Sequence, residues 1–268
     1  MDSRDDAPAM TYRGTTVLIT GASSGIGEEF AARFAARGAD VVLVARREQR
    51  LRDLAAELTE RHGVAATVIP MDLAQPEAAE RLRADLEARG IRIDTLINNA
   101  GFGKRGPFVD EDPGRMAAMI QLNVTALVAL THAFLPQLIS AGRGALVNLA
   151  SVVAYQPTPS MAVYGATKAF VLNFTEAIAY ETRGTGLRVL ALSPGSTATE
   201  FFEIAEAEEI ASRGVQSPAQ VVDTALKALD RRSTPPSVVS GASNTIATTL
   251  SALVPRRVAL EASGRMLA

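Results

Sequence analysis

Thr20-Gly21-Ala22-Ser23-Ser24-Gly25-Ile26-Gly27 stands between the apolar, β-branched run Thr16-Val17-Leu18-Ile19 and a helix-like stretch from Glu28 to Arg37. A strand that turns through glycines into a helix is a narrow constraint, because the helix must carry the chain back before a parallel neighbour can form. The same alternation continues downstream. Short apolar runs predict strands at Thr16–Thr20, Val41–Ala45, Thr67–Met71, Thr95–Ile97, Ala145–Leu149 and Arg188–Ser193. Helical spacing predicts helices at Gly25–Arg37, Arg47–Arg61, Pro76–Ala88, Pro113–Ser140, Met161–Thr182 and Pro218–Leu229. The strands are continuously apolar rather than alternating, as expected when helices cover both sheet faces. The expected fold is therefore α/β, a single doubly wound parallel sheet of the Rossmann type flanked by helices.

The 268 residues fit one such domain from residue 13 onward, behind a polar lead of about a dozen residues. A net charge of −2 argues against a nucleic-acid-binding surface. With no cysteine and only His62 and His132, neither a disulfide framework nor a metal site is expected. The acidic N-terminus is unlike a signal peptide, and no apolar run approaches the ~20 residues of a membrane span. These features read as a cytoplasmic protein.

In parallel sheets, ligands bind at the carboxyl ends of the strands. There the sequence puts the glycine turn, Arg46, Asp72, Asn98-Asn99-Ala100-Gly101, Ser151 and Pro194-Gly195, one after each strand in turn. Glycines let a backbone approach a pyrophosphate, and the following helix offers free N–H groups and a partial positive charge. An ordinary glycine-rich turn is the alternative. A triphosphate site is excluded, because no Lys-Ser or Lys-Thr follows the last glycine. Tyr164 and Lys168 are four apart, hence on one helix face, with Ser151 thirteen residues upstream. The lysine charge should pull the phenol pKa down toward the working range, and the serine can bond an oxygen whose charge changes. The second strand carries no acid at its carboxyl end. Asp40 lies at the opposite end, and Arg46-Arg47 follow directly, a pair suited to a 2′-phosphate or to opening a solvated helix.

Together these residues resemble the short-chain dehydrogenase/reductase superfamily, from about Tyr12 to about Arg232. The matching positions are Thr20 to Gly27, Asn98 to Gly101, Asn123, Ser151, Tyr164, Lys168 and Pro194-Gly195. The resemblance implies NAD(P)-dependent oxidoreductase chemistry, with Tyr164 as proton donor, Ser151 polarising a carbonyl, Lys168 tuning the phenol and holding the nicotinamide ribose, and Asn123 supporting a proton relay. Asn123 could instead mark a helix kink. It further implies cofactor contacts from Gly21, Ser23, Ser24, Gly25, Ile26 and Gly27, from Arg46 and Arg47, and from Asp72 and Leu73. Asn99, Ala100, Gly101, Pro194, Gly195, Thr197 and Thr199 complete the set. Asp72 could instead cap the helix that follows it. The missing acid and the arginine pair select NADP(H).

For the substrate, Phe102, Val153, Met161, Phe201 and Phe202 suggest an apolar pocket for a hydrophobic ketone or secondary alcohol, although they could merely pack a lid. That lid is expected over residues 199–216. A 3-oxoacyl-thioester reductase and a non-catalytic, cofactor-sensing binding protein are the alternatives. Residues 231–268 carry five arginines against the single acid Glu261. Ile246, Leu250, Leu253 and Val254 recur at helical spacing, so a helical tail over 241–268 should dock on the body, roofing the cleft or forming an oligomer contact. A homo-oligomer is expected.

Overall fold

The computed structural model describes residues 12–201, 205 and 215–267. Most of the expected lid and the lead before Tyr12 lie outside the described residues, as does Phe202. Seven strands form one parallel sheet in the order β3-β2-β1-β4-β5-β6-β7. They are β1 (Thr16–Thr20), β2 (Asp40–Ala45), β3 (Ala66–Pro70), β4 (Thr95–Asn98), β5 (Ala145–Leu149), β6 (Arg188–Ser193) and β7 (Ser237–Val239). The order reverses between β1 and β4, which pair through Val17 to Thr95 and Ile19 to Ile97. A crevice opens outside the strand ends at such a switch point.

Successive strand residues enter opposite layers, as the pleat requires. Val17, Ile19, Val41 and Leu43 pack with Phe30 and Phe34 of α1 (Gly25–Ala36) and with Leu51, Leu54 and Leu58 of α2 (Glu48–His62). Leu18, Val42, Val44, Leu96 and Leu146 face the other way, against Leu82 and Leu86 of α3 (Ala78–Ala88) and a long apolar helix. That helix runs unbroken through α4 (Pro113–Ile120), a wider π-turn (Gln121–Ala126) and α5 (Leu127–Ala141). Helices α6 (Ala162–Glu181), α7 (Pro218–Leu229), α8 (Ala242–Leu253) and α9 (Arg256–Leu267) complete the described fold.

Several sequence expectations need correction. Helix α3 starts at Ala78 rather than Pro76, because Glu77 takes a left-handed φ of 58°. Strand β7 was not anticipated. It has three residues, all partly buried, too short and too exposed to leave an apolar run. The expectation that no apolar stretch nears a membrane span also fails. From Met116 through Ala141 there is no Asp, Glu, Lys or Arg, and Pro113–Ala141 is, by length and composition, long and apolar enough to cross a bilayer. Here that apolarity packs on the sheet, through Leu130, Phe134 and Leu138.

Candidate active site

A cleft of about 1560 Å³ runs along the carboxyl ends of the strands. Its wall takes in every described residue expected to touch cofactor or substrate, except Gly27 and Asn123.

The glycine turn explains its own sequence. Gly21 and Gly25 have φ of 65° and 60°, which side chains rarely adopt. A Cβ at Gly25 would stand 2.7 Å from Thr199 Cγ2, so the loop and the segment after β6 touch here. Gly27 serves packing instead, since a Cβ there would run into the Gly21 carbonyl. Thr20 Oγ1 accepts hydrogen bonds from Asn99 N (2.9 Å) and Ala100 N (3.0 Å), and Asn99 Nδ2 donates to Thr20 O (2.9 Å). Asn99 is thus a strut that holds the glycine loop against the end of β4 as well as part of the cleft wall. Ser24 caps α1 without a side-chain hydrogen bond, leaving the N–H groups of the first turn for a ligand. Glycine cradle, open helix terminus and cleft size together fit a nicotinamide dinucleotide.

At the far end of the cleft the two arginines differ. Arg46 is exposed and, among the described residues, has no hydrogen-bonding or ionic partner. Arg47 Nη2 donates to Ser24 Oγ (2.7 Å) and Ser23 Oγ (2.9 Å), and its Nη1 to Glu200 Oε2 (2.6 Å). Asp72 accepts from Ala74 N at 3.0 Å and so folds a local turn. It is not the cap of α3, which begins six residues later.

Ser151, Tyr164 and Lys168 meet at the inner end, exposed by only 9%, 7% and 6%. Ser151 follows β5, whose end is held by Ala150 N donating to Leu192 O. The other two lie one turn apart on α6. Ser151 hydrogen-bonds the phenol, yet burial is the larger influence and pushes the Tyr164 pKa up to about 12. This corrects the expectation that lysine lowers it. Lys168 Nζ donates to Leu149 O (2.7 Å) and lies 5.8 Å from the phenol ring centroid, and burial brings its own pKa down to about 8. An ammonium beside a phenol favours the phenolate, but burial is the larger influence on both groups here.

Asn123 sits inside the π-turn, 1% exposed. Its amide donates to Phe102 O (2.9 Å) and Thr167 Oγ1 (3.2 Å), and its carbonyl accepts from Phe102 N (3.1 Å). It therefore ties the loop after β4 to the Tyr164 helix rather than lining the cleft.

Phe102, Val153, Met161 and Phe201 wall the space beside Tyr164, with the Phe201 and Tyr164 rings 5.3 Å apart. Gly103 was missed by the sequence reading. A Cβ there would lie 2.7 Å from Phe201 Cζ and 3.1 Å from Tyr164 Cδ2, so only glycine lets both rings close in. Also missed were Arg105 and Arg115, which line the cleft; the tail, expected to roof the cleft or form an oligomer contact, lays α8 and α9 over it. Leu250, Val254, Val258 and Ala259 supply the apolar part of that roof, and Asn244, packed against Gly195, joins it to the body.

A family model described as short chain dehydrogenase matches residues 15–210. The chain belongs to the short-chain dehydrogenase family. Sulfoacetaldehyde reductase 2 of Chromohalobacter salexigens is 44% identical over 187 residues, 69% of this chain and 73% of the relative. Among solved structures, a short-chain dehydrogenase from Sphingobium yanoikuyae in complex with NADPH is 40% identical. It superposes with a TM-score of 0.79 over 92% of this chain and 95% of its own. The bulky-bulky ketone specific alcohol dehydrogenase of Comamonas testosteroni is 34% identical, with a TM-score of 0.74 over 89% and 93% of the two chains. This short-chain dehydrogenase is accordingly an NAD(P)-dependent oxidoreductase. The α8–α9 roof lies beyond the stretch that the family model matches.

Proposed function

We propose that this short-chain dehydrogenase is an NADP(H)-dependent carbonyl reductase, converting a hydrophobic ketone or aldehyde to its alcohol and running in reverse when alcohol is in excess. The observation that carries the reading is the convergence of buried Ser151, Tyr164 and Lys168 on an apolar chamber at the inner end of a dinucleotide-sized cleft. A nicotinamide held at this end of the cleft would supply or accept the hydride. With a pKa near 12, Tyr164 is neutral at pH 7 and keeps the proton that a reduced carbonyl oxygen needs. Ser151 donates a hydrogen bond to that same oxygen as its charge grows. Lys168, fixed by Leu149 O, brings a positive charge that offsets the phenolate left after proton transfer. Asn123 positions the neighbouring backbone. Arg46 takes the 2′-phosphate, and the NADPH complex of the Sphingobium relative supports that choice.

The apolar wall and the relative acting on bulky ketones favour a large, hydrophobic substrate. A second reading has its own support. Arg105 and Arg115 line the cleft, and a 44% identical relative is named for sulfoacetaldehyde, a small anionic aldehyde. We also place the protein in the cytoplasm as a homo-oligomer, which gel filtration with light scattering would check. The reaction is tested by a panel of aryl alkyl ketones, sulfoacetaldehyde and a 3-oxoacyl thioester, each with NADPH and NADH. The highest kcat/KM is expected for a bulky ketone with NADPH. A preference for sulfoacetaldehyde would transfer the site to the anionic reading, and turnover of none would remove the carbonyl-reductase reading.

A further inference from the structure

We propose that Glu200 is a resident counter-anion at the adenosine end of the cleft, displaced from Arg47 by a cofactor's 2′-phosphate, and so a determinant of how strongly this chain prefers NADPH to NADH. The proposal rests on the NADP(H) reading and adds a residue on which the preference depends.

The geometry is specific. Glu200 directly follows Thr199, whose methyl group presses on the glycine loop at Gly25. From there its two carboxylate oxygens reach separate partners on the other side of the cleft. Oε2 accepts from Arg47 Nη1 at 2.6 Å, and Oε1 accepts from Arg50 Nη1 at 2.5 Å. Arg47 turns its remaining donors on Ser23 and Ser24 of the loop. One ionic clasp therefore joins the three pieces of chain that rim the cofactor's far end: the glycine loop, the end of β2 and the segment after β6. The arginines hold the Glu200 pKa down at about 2, Arg50 contributing most, so the carboxylate is ionised at every working pH.

This arrangement splits the arginine pair by function. Arg46 is open to a phosphate without prior loss, whereas Arg47 already holds an anion. A phosphate monoester carries about −1.5 to −2 charges at pH 7 and three acceptor oxygens, so it competes well for a guanidinium against a single carboxylate. The exchange still costs NADPH the Glu200–Arg47 contact. NADH has only an uncharged hydroxyl at that position and leaves the clasp intact. Removing the carboxylate should then help one cofactor and not the other.

Glu200→Gln keeps the shape of the side chain and an acceptor for the arginines while deleting its charge. Dissociation constants for NADPH and NADH, and for adenosine 2′,5′-bisphosphate against adenosine 5′-diphosphate, are measured by calorimetry without any carbonyl substrate. The two 2′-phosphorylated ligands should bind the variant more tightly by about two- to fivefold, the size of one half-exposed ion pair. The other two should be unchanged. Glu48→Gln removes the same charge from the Arg52 pair on the outside of α2 and should shift neither ratio. Unchanged or weakened NADPH binding by Glu200→Gln, or an equal shift for both cofactors, would overturn the proposal. A wild-type protein that binds NADH more tightly than NADPH would instead overturn the NADP(H) reading beneath it.

Discussion

Replacing Lys168 by methionine should make the folded protein more stable while abolishing its activity. The ammonium group is buried, and its pKa falls from 10.5 to about 8 because burial penalises the charged form. Between those two values the unfolded chain binds more protons than the folded one, so stability rises with pH from about 8 to 10.5. Below pH 8 the whole penalty is present. At about 1.4 kcal/mol per pH unit, that gap amounts to about 3 kcal/mol. Methionine removes the charge at similar length and leaves Leu149 O without its donor, a loss of about 1 kcal/mol. The net gain at pH 7 is then about 2 kcal/mol, or roughly 4–8 °C in Tm. Thermal unfolding followed by circular dichroism at pH 7 and pH 10 reads this directly. The advantage of Lys168→Met should be large at pH 7 and mostly gone at pH 10. A variant less stable than wild type at pH 7, or an advantage independent of pH, would refute the argument that Lys168 is held charged at a cost in stability.

Tyr164→Phe should lower kcat by ~10²- to 10⁴-fold, the usual worth of a general acid, with the NADPH dissociation constant nearly unchanged. Retention of more than about a tenth of the wild-type rate would remove Tyr164 as the proton donor. Arg46→Ala should weaken NADPH by about tenfold, as for loss of one charge-assisted hydrogen bond, and leave NADH alone; titration of both cofactors checks it. Gly103→Ala should push Phe201 away from Tyr164 and raise KM for bulky ketones more than for small ones. Equal KM values across the panel would mean that Phe201 yields without disturbing the substrate wall.

The strands were legible because helices bury both faces, so a parallel sheet writes itself as uninterrupted apolar runs such as Val41 to Val44. The candidate reacting residues were legible because Tyr164 and Lys168 share a helix face at any depth of burial and the glycine motif near the N-terminus accompanies them. Depth itself was not readable, and it reversed the expected direction of the tyrosine pKa. Asn123 shows a similar limit. The resemblance suggested a proton relay and its place in the chain a helix kink, but its partner Phe102 lies 21 residues earlier and is reached only through the π-turn. The roof of the cleft depends on how α8 packs on the turn after Ser151, and the Glu200–Arg47 contact spans 153 positions. The helical spacing of Ile246, Leu250, Leu253 and Val254 foretold the tail helix but not where it lands, and the ion pair leaves no periodic trace at all.

The most direct test of the account follows a hydride. Wild-type protein is given an aryl alkyl ketone and NADPH deuterated at the nicotinamide C4, each configuration in a separate reaction, and the alcohol is analysed by mass spectrometry. One configuration should deliver a single deuterium to the carbinol carbon, and Tyr164→Phe should yield almost no alcohol from either. Alcohol without deuterium in both reactions, or labelled alcohol made by Tyr164→Phe at the wild-type rate, would contradict it.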